Sequence, residues 1–481
     1  MFTNIPFMII TVYIIILFAI GFYAKSKATG DADSYIRASK QLTAPLVFVS
    51  MVGLVIGGAS TIGISESAFK IGISAGWYNV GWGVGSVVMG WFLISKMRNR
   101  RDFTTLPEIL DRYYDNKGSI AAIVTQLMIC VVATSIQYIA GGSILHTVLP
   151  DIFTLETGIL TSGVVFVAIT FIGGMWSASI SNILNTILIY GGIITATILT
   201  VSNQGGMAAI ALKLPVANTN WLNPIAGIGW SGIATFLAVG MAMNLGLQSV
   251  TQIAVSGKTT ESTSKAFIWA GLAILPIGFV SALMGVVAKS LFPDSSATLA
   301  LPQTIMTLNP WIAGVTLAAL WAADVSTACN LLLGSSTLVS QDIYKRFINP
   351  DVSPENYVWV NKGSVVLLGI LTCSFAMFMT GILTVLLFGL SLCAAFGVIL
   401  LFTLFAPQYC RRSSAFWTFV VAIGTLLAWR FIPAVRIFPH VIFAEWIVCT
   451  ITYGIVYVLD QSPIESEIPL ATIPPTMTAG D

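Results

Sequence analysis

Thirteen long apolar stretches run through this chain, near residues 6–24, 45–70, 77–96, 119–148, 157–175, 179–201, 226–247, 266–290, 310–340, 360–380, 382–405, 415–432 and 441–459. A helix needs about 20 apolar residues to cross the ~30 Å hydrocarbon layer of a bilayer, and these runs have that length. Lipid offers no hydrogen-bond partner to an open backbone, and the strict alternation of a barrel strand is absent, so each run is expected to be a helix. Composition agrees, with 56% hydrophobic and only 9% charged residues, where a soluble domain has about a quarter charged. The predicted fold class is an all-α integral membrane protein of about 13 transmembrane helices. A single transmembrane domain is expected over residues 1–460, with a short, mildly acidic and proline-containing tail over 461–481.

The 22 basic residues decide the predicted orientation, because cytoplasmic loops carry the excess of Lys and Arg. With the N-terminus outside, seventeen of them lie inside and only Lys70, Lys213, Lys289, Arg430 and Arg436 lie on the other face. The expected location is the plasma membrane, with the N-terminus outside and the C-terminus cytoplasmic. The first stretch has no basic residues before it and no small-residue cleavage site after it, so it reads as a retained span. A net charge of +2 without clustering points to no nucleic-acid partner. The six cysteines show no paired spacing and only His146 and His440 accompany them, so neither a disulfide framework nor a zinc site is expected. An enzyme would need a nucleophile–base pair or a metal cluster, and none is spelled here. The short tail leaves no room for a signalling domain, and no obligatory protein partner is evident.

Two runs carry interruptions that a plain lipid-facing helix gains nothing from. The second contains Gly53, Gly57 and Gly58 followed by Ala59-Ser60-Thr61, and the seventh ends in Gly240-Met-Ala-Met-Asn244-Leu-Gly246. Each glycine costs roughly 1 kcal/mol against alanine in a helix interior. Close helix packing through small residues is one reason to keep them. An unwound midplane, where freed carbonyls meet a cation and helix ends face a substrate, is the other. The two runs stand five apart in the count, which is what an inverted five-helix repeat predicts. In the ninth run, Ala323, Ser326 and Thr327 stand at i, i+3 and i+4 and share one helix face. Such hydroxyls either bond back to the preceding turn or join carbonyls as ligands of a hard monovalent cation.

Several stretches together resemble the sodium/solute symporter family, which includes proline, pantothenate and sugar symporters, from about Ile10 to Phe405. They are Ala32-Asp-Ser-Tyr-Ile, Thr105-Leu-Pro-Glu with Arg112-Tyr113, Ile169-Thr-Phe-Ile-Gly-Gly-Met-Trp-Ser177, and Ala323-Asp-Val-Ser-Thr through Gln341-Asp-Ile-Tyr-Lys345. Thr105 and Glu108 also have the spacing of a helix capping box. The resemblance implies a leucine-transporter-like five-plus-five inverted repeat, with core repeats at about 45–201 and 226–405 and broken helices 2 and 7. It implies a secondary active transporter working by alternating access, with the sodium ion as coupling ion and a small organic solute as partner in the lipid bilayer. The implied sodium ligands are the carbonyls of Gly53, Ile56 and Ala323 and the hydroxyls of Ser326 and Thr327.

Three departures from the family pattern sharpen the expectation. Positions that hold a second sodium in some members are Asn182, Cys329 and Asn330 here, a poor set for a hard cation, so one sodium per cycle is predicted. Asp324 is an acid where the family has an apolar residue. It is expected to point about 100° away from Ala323, either paired, with Lys70 or an amide, or as a coupling group. Lys70 has a second potential partner in Glu66, one turn earlier. The alternative function is a proton-coupled transporter of the same fold using Asp324. Sugar-binding positions are Ala59 and Ser60 here, and the acid of proline-type transporters is Val55. The candidate substrate residues are Ser60, Trp77, Asn244 and Gln248, suited to a small carboxylate-bearing solute such as pantothenate, a monocarboxylate or an amino acid.

Overall fold

Helices account for the apolar runs in the computed structural model, which describes residues 4–27, 32–98, 103–215, 221–379 and 381–464. Residues 465–481, most of the expected tail, lie outside the described residues. Ten helices among the described residues are long and apolar enough to cross a membrane, and two bent pairs raise the number to as many as twelve. Thirteen were expected, and the difference from twelve lies in one element, Leu155–Asn203, which runs for 49 residues. At 1.5 Å per residue a straight helix of that length would reach about 73 Å, more than twice the hydrocarbon thickness. It is interrupted at Gly174, whose φ of 55° and ψ of −143° suit glycine alone.

That interruption explains two of the sequence motifs at once. A β-carbon on Gly174 would lie 2.3 Å from the Tyr35 carbonyl oxygen, while the Tyr35 hydroxyl donates to the Thr170 carbonyl at 3.0 Å. The Ala32–Arg37 helix therefore seats in the bend that the glycine pair opens. The Thr105 motif is likewise explained: the Thr105 hydroxyl accepts from the Glu108 amide at 3.2 Å and donates to Asp342 at 2.8 Å. The Glu108 carboxylate reaches back to the Thr104 amide at 2.7 Å, one residue before the expected partner. The capped helix Leu106–Asp111 is thereby tied to the far end of the Pro310–Ile348 span.

Pro310–Ile348 is the centre of the molecule. Its most apolar window is 89% buried, against 28% for the first helix, whose surface faces lipid. One pair of helices, Trp77–Val88 and Gly229–Gly246, crosses through bare glycine on both sides: a β-carbon on Gly240 would fall 2.1 Å from the Gly81 carbonyl carbon, and one on Gly81 would fall 2.1 Å from the Phe236 carbonyl oxygen. With backbone against backbone nothing can yield. Gly240→Ala should therefore destabilise the protein by about 1–3 kcal/mol, the usual cost of overpacking. A thermal unfolding midpoint in detergent measures it, and Gly424→Ala, whose β-carbon meets nothing within 4 Å, should leave the midpoint unchanged.

Candidate functional site

Both interrupted runs are bent. Ala44–Val55 meets Ala59–Ile71 at 53°, and Gly229–Gly246 meets Gln248–Ser256 at 55°. At the first break the chain leaves helical geometry at Ile56, with φ −86° and ψ 81°, and the Ile56 carbonyl receives no hydrogen bond among the described residues. The Gly58 amide donates to Gln137 Oε1 at 2.7 Å instead of to the preceding turn. At the second break the Gln248 amide donates to Gln126 Oε1 at 3.3 Å, and Gln126 Nε2 donates to the Gly246 carbonyl. Two glutamines of one helix, Asn116–Val148, thus satisfy backbone groups that the breaks set free. Neither glutamine was singled out from sequence. The signal was available, since an amide in an apolar run needs a partner.

The ninth run brings its oxygens to the first break. Ser326 Oγ stands 2.8 Å from both the Gly53 and the Ala323 carbonyls, and Thr327 Oγ1 donates to the Gly53 carbonyl at 2.9 Å. Gly53, Ala323, Ser326 and Thr327 therefore form one buried knot of oxygens joining segments 273 residues apart. Ile56 lies on the same break with its carbonyl free of hydrogen bonds. A hydroxyl has one proton and two lone pairs, so each can turn its proton aside and present oxygen to a cation. The arrangement fits sodium as transported cargo. Among the described residues no group of three or more His, Cys, Asp or Glu could hold a metal ion, and the oxygens gathered at this break are neutral carbonyls and hydroxyls.

Of the alternatives open for Asp324, the pairing with Lys70 is not formed. Lys70 bonds Glu66 at 3.1 Å, and both carboxylate oxygens of Asp324 are buried without a hydrogen-bond partner among the described residues. It is three residues before Thr327, so the two share a face. A β-carbon on Gly57 would lie 2.2 Å from Thr327 Oγ1, and one on Gly58 2.9 Å from Asp324 Oδ1. The acid thus faces the break in the first pair.

The four candidate substrate residues are not brought to one cavity. Ser60 Oγ lies 2.6 Å from the Val55 carbonyl and 2.8 Å from Asn79 Oδ1, and Trp77 donates to the Pro224 carbonyl at 2.9 Å. Asn244 bonds the Trp82 and Gly240 carbonyls, while Gln248 holds Leu106 and Thr104 at the capped loop. Between the breaks lies a different set, Gly57, Tyr78, Trp82, Gln137, Met243 and Thr327, around a cavity of about 20 Å³. That is room for about one water molecule. Tyr78, Trp82 and Met243 escaped sequence reading because aromatic and methionine side chains in apolar runs look like packing.

At the three positions that hold a second sodium in some members of the resembled family, the side chains meet backbone here, and Asn182 Nδ2 is buried without a hydrogen-bond partner among the described residues. Asn330 Nδ2 donates to the Ser326 carbonyl at 2.8 Å, Cys329 Sγ lies 3.8 Å from the Phe166 carbonyl, and Asn182 packs flat against Gly53.

Residues 35–422 match the sodium:solute symporter family. The chain belongs to that family. The sodium/proline symporter of Salmonella typhimurium is 23% identical over 463 residues, covering 90% of each chain. That of Staphylococcus aureus (strain JH9) is 22% identical over 389 residues, 77% of this chain and 75% of the relative. A sodium-coupled sialic acid symporter, solved in a substrate-bound outward-open state, superposes with a TM-score of 0.81 at 19% identity, covering 96% of this chain and 99% of that one. A nucleobase-cation-symport-1 family transporter in a closed conformation gives 0.60 at 11% identity, covering 88% and 93%. This symporter is therefore a multi-pass membrane transporter and not an enzyme, with sodium-coupled symport as its activity.

Proposed function

We propose that this symporter carries one sodium ion per cycle, bound by the carbonyls of Gly53, Ile56 and Ala323 and the hydroxyls of Ser326 and Thr327, together with a small carboxylate-bearing solute. The observation that carries the reading is the meeting of the Ser326 and Thr327 hydroxyls with the Gly53 carbonyl at the first break. An ion there ties the broken helix to the central Pro310–Ile348 span, so sodium stabilises one arrangement of the two and the solute is taken up in that arrangement. The cavity between the breaks is too small for a solute in the contracted state described here, so the solute enters by a rearrangement, as alternating access requires. Once the cavity opens, a lining of one amide, Gln137, with aromatic and apolar walls suits pantothenate, a monocarboxylate or an amino acid. The relatives support the carboxylate, because both proline and sialic acid carry one. Core repeats at about 45–201 and 226–405, with the N-terminus outside and the C-terminus in the cytoplasm of a plasma-membrane protein, complete the reading.

A second reading, proton coupling in the same fold, is favoured by the partnerless Asp324 at the break. One assay separates the two. Uptake into proteoliposomes should require sodium and fail in choline medium with or without a pH gradient, with a sodium dependence of Hill coefficient near one. Uptake in choline driven by an inward proton gradient would replace sodium coupling with the second reading. A sodium-to-solute ratio of two would overturn the single site.

A further inference from the structure

An apolar groove runs along the outer surface between the first half of the Leu155–Asn203 helix and Pro354–Ala376, away from the transport path. Its floor is made by Gly163 and Gly369, and Val167, Phe171, Ile370 and Cys373 form its walls. The helices run antiparallel here, so the groove extends from Val366 beside Phe171 to Met377 beside Leu160. Eleven residues of helical rise make about 16 Å, which is half the ~30 Å hydrocarbon core. The groove has the length of one leaflet, and so of one acyl chain.

Its Phe171 end carries a positive charge that no acid answers. Lys362 Nζ lies 5.2 Å from the centres of both the Phe171 and Trp359 rings and 5.6 Å from that of Tyr35. It makes no ion pair among the described residues, and a second cation, Lys25, lies near enough to repel it. Two lysines at one membrane boundary repel each other unless an anion joins them. Aromatic rings around an ammonium hold it in place at the boundary, with its charge directed to the headgroup layer.

We propose that this groove is a binding site for one anionic phospholipid, its phosphate at Lys362 and Lys25 and one acyl chain along the floor made by Gly163 and Gly369. The bilayer supplies the occupant and the lysine pair selects its charge. The site sits on the fold and does not depend on which ion or solute is carried.

The test uses the full-length protein purified from a membrane containing phosphatidylglycerol and phosphatidylcholine, with bound lipid counted by native mass spectrometry. One phosphatidylglycerol should remain bound under activation that removes phosphatidylcholine. Lys362→Gln should weaken its retention about fivefold and the Lys25→Gln, Lys362→Gln pair roughly twenty-five-fold, at the usual contribution of one basic residue near a lipid surface. Gly369→Leu, whose β-carbon would lie 2.2 Å from Val167 Cγ2 in the groove wall, crowds the groove and should displace the lipid while both lysines remain. Equal retention of the two lipids, or retention unchanged in both lysine variants, overturns the headgroup assignment. Unchanged retention in Gly369→Leu overturns the groove, as does a dimer that this substitution dissociates without altering bound lipid.

Discussion

Thr327→Val should raise the sodium concentration needed for half-maximal uptake by roughly tenfold to a hundredfold, since a polar contact to a charged group contributes about 1.5–3 kcal/mol. Valine keeps the shape of threonine and removes only the oxygen, so the buried packing around the Gly53 carbonyl is preserved while one ligand is lost. Ser326→Ala should act in the same direction, because Ser326 Oγ stands 2.8 Å from both the Gly53 and Ala323 carbonyls. Thr327→Ser restores the hydroxyl and should restore the sodium dependence. Uptake rates measured against sodium concentration at saturating solute decide the matter. An unchanged sodium dependence in both hydroxyl-deleting variants would sink the assignment of this face to the ion.

Gly57→Ala should abolish sodium-driven uptake while leaving the protein folded and inserted. The added β-carbon would lie 2.2 Å from Thr327 Oγ1 and 2.6 Å from Gln137 Oε1, inside the contact distance of both. The two oxygens are ends of side chains, but Thr327 Cβ, also 2.6 Å away, is fixed to its helix, so the break yields only by moving the Thr327 hydroxyl out of the proposed ion site and the Gln137 carbonyl from the Gly58 amide. A loss of at least 100-fold is expected, about 2.7 kcal/mol, from one displaced ligand and one broken buried bond. Gly191→Ala serves as control, because its β-carbon meets nothing within 4 Å. Wild-type uptake by the Gly57 variant would show that the break tolerates a side chain and that Thr327 does not act there.

The interrupted helices were legible because glycine clusters are costly in a helix and therefore conspicuous. The hydroxyl pair was legible because Ser326 and Thr327 fall on the face of Ala323 at helical spacing. The set of residues around the cavity between the breaks was not. Ser60, Asn244 and Gln248 are polar residues in apolar surroundings, which marks them as needing partners but not which partners they find. Each is engaged by backbone across a break or on another helix, Ser60 by Val55, Asn244 by Trp82 and Gln248 by Leu106. Asp324 shows the same limit from the other side. Its helical position predicted its angle from Ala323, yet its lack of a hydrogen-bond partner among the described residues depends on what lies opposite, and Gly58 is 266 positions earlier in the chain.

What this sequence determined by itself is its solvent and its elements. Run length, charge scarcity and the demand of every backbone group for a partner leave helices across a bilayer as the only outcome, and those forces act within about twenty residues. Tertiary structure alone decided which carbonyls meet which hydroxyls and which amides close the breaks. Every residue carries a backbone carbonyl, so the letter at Gly53 does not mark it as the one that meets Ser326 and Thr327. Only the packing of the Pro310–Ile348 helix against the first break selects that oxygen, and only the register of the Asn116–Val148 helix sets Gln126 and Gln137 against the two breaks.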